Sequence, residues 1–158
     1  MTRQVFPLTS LILAAMLLTA CASDPFVMPE PERGPDYSYS DLRGKDLRGA
    51  SLQKSDFDLA DLRGALLAGA DLTNTNFYAA SLVGTDLTGA NLTGANLRDA
   101  DLTDANLTDA DLTGTNLTGT NLTAAILDGA TLHEATITGA SFRDADLRTV
   151  KLRLDDVN

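Results

Sequence analysis

Large apolar residues recur at every fifth position through most of this chain. Stepping by five from Leu42 to Leu152 meets a Leu, Ile or Phe each time, which gives 23 consecutive apolar centres without a change of phase. This period fits neither regular element, because five residues advance about 500° on a helix and reverse the side on a strand. The pattern therefore predicts a chain that turns once per pentapeptide and aims every centre at a common axis.

The positions around each centre agree with such a turn. Two residues before the centre, Ala, Ser or Thr occurs in 21 of the 23 repeats, as expected for a small inward side chain beside a bulky one. Lys45 is one of the two exceptions. Because its position is inward, a charged side chain there indicates that the first coil lies at the end of the stack. Two residues after the centre, Gly occurs 11 times and Asp or Asn five times. These residue types tolerate the positive φ of a tight turn.

The repeat resembles the pentapeptide-repeat family, whose motif reads A(D/N)Lxx. The resemblance covers residues 40–154 and leaves 155–158 as a short tail. It implies an all-β fold, a right-handed quadrilateral parallel β-helix with four pentapeptides per coil and about six coils. At roughly 4.8 Å per layer the rod would be about 27 Å long. Such a solenoid is stabilised by the stacking of neighbouring repeats.

The segment 1–20 has the pattern of a secretory signal peptide. Arg3 precedes the continuous apolar run 11–18, which is too short to span a bilayer as a helix. The sequence "LTAC" that ends at Cys21 resembles a bacterial lipobox. The resemblance implies cleavage before Cys21 and lipidation of its sulfur and its new N-terminus, and several acyl chains anchor a protein stably. We therefore expect a bacterial envelope protein that is anchored in a membrane through Cys21.

Residues 21–39 are predicted to form a tether. They contain four prolines with charged residues between them, a composition that cannot bury a core. Part of this segment, including Tyr37 and Tyr39, is apolar enough to cover the open first coil instead. Ala22 and Ser23, with no Asp after the Cys, resemble the signal for sorting to the outer membrane in Gram-negative bacteria, so the periplasmic side of that membrane is the expected location.

The charge is acidic and lies mainly in the middle of the repeat region. The net charge is −10, and residues 64–142 hold nine acidic residues and one basic residue. A surface of this kind is repelled by nucleic acid, so no nucleic-acid partner is expected. The acidity also leaves open an alternative function, a DNA mimic that inhibits or protects type II topoisomerase, although the export signal disfavours a cytosolic target.

No constellation of residues indicates catalysis, a cofactor or a metal. His133, the only histidine, follows a repeat centre beside Glu134, so both should face solvent away from any nucleophile or pocket. Asp99, Asp104 and Asp109 fall on successive corners of a four-sided coil and cannot share one cation. We therefore expect a non-enzymatic protein that serves as a spacer or as a surface for an envelope protein.

Two surface features suggest contacts. Leu59, Leu66, Tyr78 and Val83 are apolar at outward positions on adjoining faces, beside Ala79, and could form a partner patch.

At the other end of the rod, unpaired backbone groups of a terminal coil favour edge-to-edge association. We expect a weak homodimer through the C-terminal coil.

Overall fold

The computed structural model describes residues 33–152, which belong to one of the two units of the chain, Glu32–Asn158. Twenty parallel β-bridges join each residue i to residue i + 20, from Asp36–Asp56 to Thr131–Lys151. Between the bridges lie turns, and the described residues contain no α-helix. A repeat of 20 residues holds four pentapeptides, and the described residues form the right-handed quadrilateral parallel β-helix that the family resemblance implied. The signal peptide, Cys21, most of the predicted tether and the tail lie outside the described residues.

The described residues make six coils of 20 residues with four faces. Coils 1 to 6 begin at residues 33, 53, 73, 93, 113 and 133. Face 1 begins with the centre Tyr37, face 2 with Leu42, face 3 with Leu47 and face 4 with Leu52, and each face continues every 20 residues. All centres from Leu47 to Leu132 are at most 6% exposed. The predicted inward direction of the centres is confirmed, and they form one continuous column of apolar side chains.

One pentapeptide, residues 91–95, illustrates how the backbone is paired. The N–H groups of Leu92 and Gly94 donate to carbonyls one coil further on, at 2.7 and 2.9 Å. Asn91 donates one coil back, and Ala95 donates to Leu92 within the turn, both at 2.9 Å. The fifth group, the N–H of Thr93, donates to the Asn91 side chain at 3.0 Å. Every backbone donor of the repeat is thus satisfied, as a buried or half-buried backbone requires.

The corners of the coils are turns with positive φ at the second residue after the centre. All 22 corners from Tyr39 to Asp144 have φ between 50° and 71°, and the centre carbonyl accepts an N–H from three residues later. Positive φ at the third residue of such a turn is the mark of type II. Gly and Asn suit this position, but Leu59 and Ala79 also adopt it. The repeat therefore imposes the turn even on residues that disfavour it.

Four buried threonines hold the coils together from inside. Each stands two residues before a centre, and its Oγ1 donates to the carbonyl 23 residues earlier. In Thr120 this bond reaches the Leu97 carbonyl at 2.7 Å, and in Thr115 it reaches Leu92 at 2.9 Å. Because the hydroxyl is fully buried, the bond offsets the cost of removing it from water. Thr therefore replaces the usual Ala without a penalty at this position.

The first coil begins one pentapeptide before the boundary predicted at residue 40. Asp36 bridges Asp56, and the ring of Tyr37 stacks on that of Phe57 with centroids 4.8 Å apart. Gly34 lies so close to the backbone of coil 2 that a Cβ would stand 2.4 Å from the Gln53 carbonyl oxygen. Tyr37 is thus a repeat centre, and Gly34 belongs to the folded edge.

The last described coil departs from the regular pattern. Thr149 occupies a corner without positive φ, and its Oγ1 accepts the N–H of Gly129 at 2.7 Å and donates to Asp128. By the regular spacing, Gly129 would instead donate to the carbonyl of Arg148. The centres of this coil are also more open, since Ile137, Leu147 and Leu152 are 45–55% exposed.

Candidate interaction surfaces of the rod

Most repeats carry an Asp or Asn on the outer side just before the centre, and many of these side chains already serve the fold. On face 1 they form a ladder along the rod. The amide of Asn76 donates to Asp56 at 2.8 Å, that of Asn96 donates to Asn76 at 2.8 Å, and that of Asn116 donates to Asn96 at 3.4 Å. Much of the polar surface of face 1 is therefore engaged within the rod, which favours a rigid body over a reactive site.

Arginines near both ends of the rod pair with a carboxylate two residues earlier in the sequence. Arg48 makes two bonds to Asp46, Nε to Oδ1 at 2.9 Å and Nη2 to Oδ2 at 2.7 Å. This hydrogen bonding by the guanidinium lowers the pKa of Asp46 to about 2. The same two-pronged geometry occurs where the sequence reads D-L-R at Arg43, Arg63 and Arg148.

The charge differs from coil to coil. Coil 1, residues 33–52, has four basic and three acidic residues and is the only one of the six coils with a net positive charge, +1. Coil 4, residues 93–112, has one basic and five acidic residues, which gives −4. The acidic middle predicted from the sequence is thus most pronounced in coil 4, and the N-terminal end is the part least repelled by an anionic surface.

A ridge of exposed apolar side chains follows one corner of coils 1 to 3. It consists of Tyr39, Leu59 and Tyr78, which are 73%, 47% and 40% exposed, and we call it the tyrosine ridge. The N–H of Tyr39 donates to the Asp58 carbonyl at 2.8 Å, and that of Leu59 donates to the Tyr78 carbonyl at 2.9 Å. Tyr39 and Leu59 therefore occupy the same corner, between faces 1 and 2, on successive coils, and Tyr78 lies on the third coil one residue before the corner residue Ala79.

The four residues of the predicted patch divide between this ridge and two other places. Leu59 and Tyr78 lie together in the ridge, whereas Val83 is partly buried on face 2. Leu66 is partly buried on face 3, where it bridges Asp46 and Asp86. Tyr39 was missed because it was assigned to the tether. Its position two residues after Tyr37 could have identified it as a corner.

The residues considered for catalysis or metal binding do not converge. Asp99, Asp104 and Asp109 stand on three successive corners, as the positive φ values and the 20-residue register show. His133 lies on face 4 and is half-buried rather than exposed, while Glu134 occupies the next corner. Within residues 33–152 no group of three or more His, Cys, Asp or Glu side chains is arranged to hold a metal ion.

The C-terminal end of the described rod carries an apolar cavity of about 280 Å³. It is lined by centres and small inward residues of the last coils: Leu132, Ala135, Ile137, Phe142, Leu147, Val150 and Leu152. These residues occupy the inward repeat positions, which are fully buried in the middle of the rod. The cavity is therefore the exposed cross-section of the core rather than a separate pocket.

The described residues include no segment that could span a membrane, since no helix there is long and apolar enough.

The family model for pentapeptide repeats matches residues 38–67, 55–94, 80–119 and 115–153, in eight copies. The chain belongs to the pentapeptide-repeat family. Among curated proteins, none matches it.

Several solved structures are similar to the chain. Rfr23, a pentapeptide repeat protein from the cyanobacterium Cyanothece 51142, is 37% identical over 66% of this chain and 63% of its own, with a TM-score of 0.44. HetL, from Nostoc and involved in heterocyst differentiation regulation, is 31% identical over 74% of this chain and 65% of its own, with a TM-score of 0.35. This chain thus spans less than two thirds of either relative.

A more distant similarity is to a full-length structure of QnrB1, a plasmid-mediated fluoroquinolone resistance protein. It is 18% identical over 77% of this chain and 81% of its own, with a TM-score of 0.33. At this identity the likeness concerns the fold alone.

Proposed function

We propose that this protein is a non-enzymatic, lipid-anchored rod of the bacterial cell envelope that acts as a spacer or as a surface for an envelope protein. The observation that carries the proposal is the unbroken register from Asp36 to Lys151, which follows a lipobox and a proline-rich segment in the same chain. A stack in which every coil pairs with the next is stiff along its axis and offers flat side faces. Lipidated Cys21 is the contact with the membrane.

Membrane fractionation tests the anchor. The full chain is produced in a bacterial host beside the Cys21→Ala variant, and the matched control is Ala22→Gly, one residue further on. Wild type and control should be found with the membranes, and in a Gram-negative host with the outer membrane. Cys21→Ala should shift to the soluble or precursor fraction. Equal membrane association of all three proteins would contradict the proposal.

The acidic charge of coil 4 supports an alternative function as a DNA mimic that acts on type II topoisomerase. The export signal argues against it, because that target is cytosolic. The same experiment separates the two functions, since a topoisomerase inhibitor must remain in the cytosol with its N-terminus uncleaved.

We also propose a weak homodimer through the C-terminal coil. Its support is the exposure of Ile137, Leu147 and Leu152 around the cavity, because exposed apolar side chains at one end of a β-helix favour association of two ends. A two-fold arrangement is the commonest closed symmetry.

A further inference from the structure

We propose that the tyrosine ridge rests on the lipid surface and tilts the rod so that the corner between faces 1 and 2 faces the membrane. The inference rests on the proposed lipid anchor at Cys21. It adds a second, non-covalent membrane contact and an orientation of the rod.

The ridge has the chemistry of an interfacial contact. Tyr39 and Tyr78 combine an apolar ring with a polar hydroxyl, and such side chains favour the boundary between headgroups and acyl chains. Leu59 lies between them at the corner and is 47% exposed. A protruding corner with two tyrosines and a leucine can enter the headgroup region while the coils behind it stay in water.

The position of the ridge in the chain favours a membrane over another partner. Only eleven residues, 22–32, lie between Cys21 and Arg33, where the described rod begins. Whatever their conformation, they hold coil 1 within about 43 Å of the anchor. A short link of this kind keeps the ridge at an effective concentration on the order of millimolar next to the lipid, so even a weak affinity suffices for contact.

Charge favours the first coil as the main point of contact. Coils 1, 2 and 3, which carry the ridge, have net charges of +1, −2 and −1, and coil 4 has −4. An anionic bilayer therefore tolerates coil 1 best and repels coil 4 most strongly, so the contact is expected to be closest at Tyr39. The ridge ends at Tyr78 in coil 3, before coil 4.

Site-specific quenching tests the proposal with the lipidated full chain in vesicles of phosphatidylethanolamine and phosphatidylglycerol. Cys21 is the only cysteine and is consumed by the lipid, so a single introduced cysteine can carry a fluorophore. Ser38→Cys places it on face 1 of coil 1, beside the ridge. The matched control Ser51→Cys places it on face 4 of the same coil, past the corner between faces 3 and 4, and like Ser38→Cys it leaves the charge of the coil unchanged.

Spin-labelled lipids should quench the label at position 38 several-fold more than the label at position 51. Changing Tyr39, Leu59 and Tyr78 together to Ser should remove the difference, and because all three are exposed the fold should survive, as circular dichroism can verify. Equal quenching at both positions, with the protein still bound to the vesicles, would overturn the ridge contact and leave the anchor standing. Failure of the protein to stay with the vesicles would overturn the anchor and this inference together.

Discussion

The Oδ1 atom of Asp101 accepts the backbone N–H of Thr103 at 3.0 Å, and this bond satisfies the one donor that the coils leave over. The other four N–H groups of that pentapeptide pair with backbone carbonyls. The same side-chain bond recurs at most repeats with Asp or Asn before the centre. The preference for these residues is therefore a consequence of backbone pairing, and the acidity of the rod follows in part from it.

Removing this cap should destabilise the rod modestly. Asp101→Ala removes the acceptor of the Thr103 N–H, and also that of the Thr103 hydroxyl and the Asn121 side-chain amide, so it should cost at least about 0.5–1.5 kcal/mol in the free energy of unfolding. Amide hydrogen exchange at Thr103 should become faster. Asp101→Asn keeps the acceptor oxygen and serves as the control, with both quantities close to wild type. Equal losses in the two variants would show that charge, not the cap, is what matters.

The centres should tolerate loss of size badly. Leu107 is fully buried in the middle of the rod, so Leu107→Ala should cost roughly 2–5 kcal/mol through lost burial and the cavity left behind. Thr108 is the next residue and points outward, so Thr108→Ala should change stability by no more than about 0.5 kcal/mol. Chemical denaturation measures both. Similar losses of stability in the two variants would mean that the assignment of inward and outward positions in the repeat is wrong.

The carboxyl of Asp46 should titrate well below the ordinary range. Its pKa is about 2 because the Arg48 side chain donates to it, against about 3.9 for an unfolded Asp. A pKa lowered on folding stabilises the protein above about pH 4, and this contribution disappears as the pH falls through about 2.

Arg48→Gln should raise the pKa of Asp46 only part of the way, because the backbone N–H of residue 48 still donates to it. Carbon-detected NMR titration measures this shift. The pKa of Asp146, also about 2 but at the other end of the rod, should not move. If the pKa of Asp46 is the same in Arg48→Gln as in the wild type, the guanidinium does not cause the low pKa.

Self-association should depend on the C-terminal end. A soluble form that begins at residue 22 should sediment as a weak dimer at high micromolar concentration. Leu152→Lys places a charge on the exposed core and should give a monomer. Leu59→Lys is the control, since Leu59 has similar exposure but lies in the second coil. Analytical ultracentrifugation decides, and a wild-type monomer would remove the proposed dimer.

The fold could be predicted from the sequence because one pattern repeats without a break. Each Leu at a centre fixes the phase of its neighbours, so inward and outward positions follow by counting. Counting repeat positions gave the wrong assignment where the residue types depart from the motif. The predicted tether includes Tyr37 because its prolines and charged residues cannot bury a core, whereas the alternative that Tyr37 covers the first coil is closer to its observed stacking on Phe57. Lys45 is exposed although its position in the repeat is inward, since it lies on the terminal coil.

Surface contacts were harder to predict, because they depend on which residues meet across coils. Leu66 and Val83 are apolar at outward positions, yet both are partly buried by neighbours one coil away. The ridge needs the 20-residue register, which places Tyr39 next to Leu59. No pattern along a single coil contains this relation.

Mass spectrometry of the mature N-terminus tests the central claim, the lipid anchor, most directly. Protein purified from bacterial membranes should begin at Cys21 and carry a diacylglyceryl group on its sulfur, with a further acyl chain where the host adds one. A mature exported protein that still begins with unmodified Met1, or that begins at a Cys21 without lipid, would contradict the account.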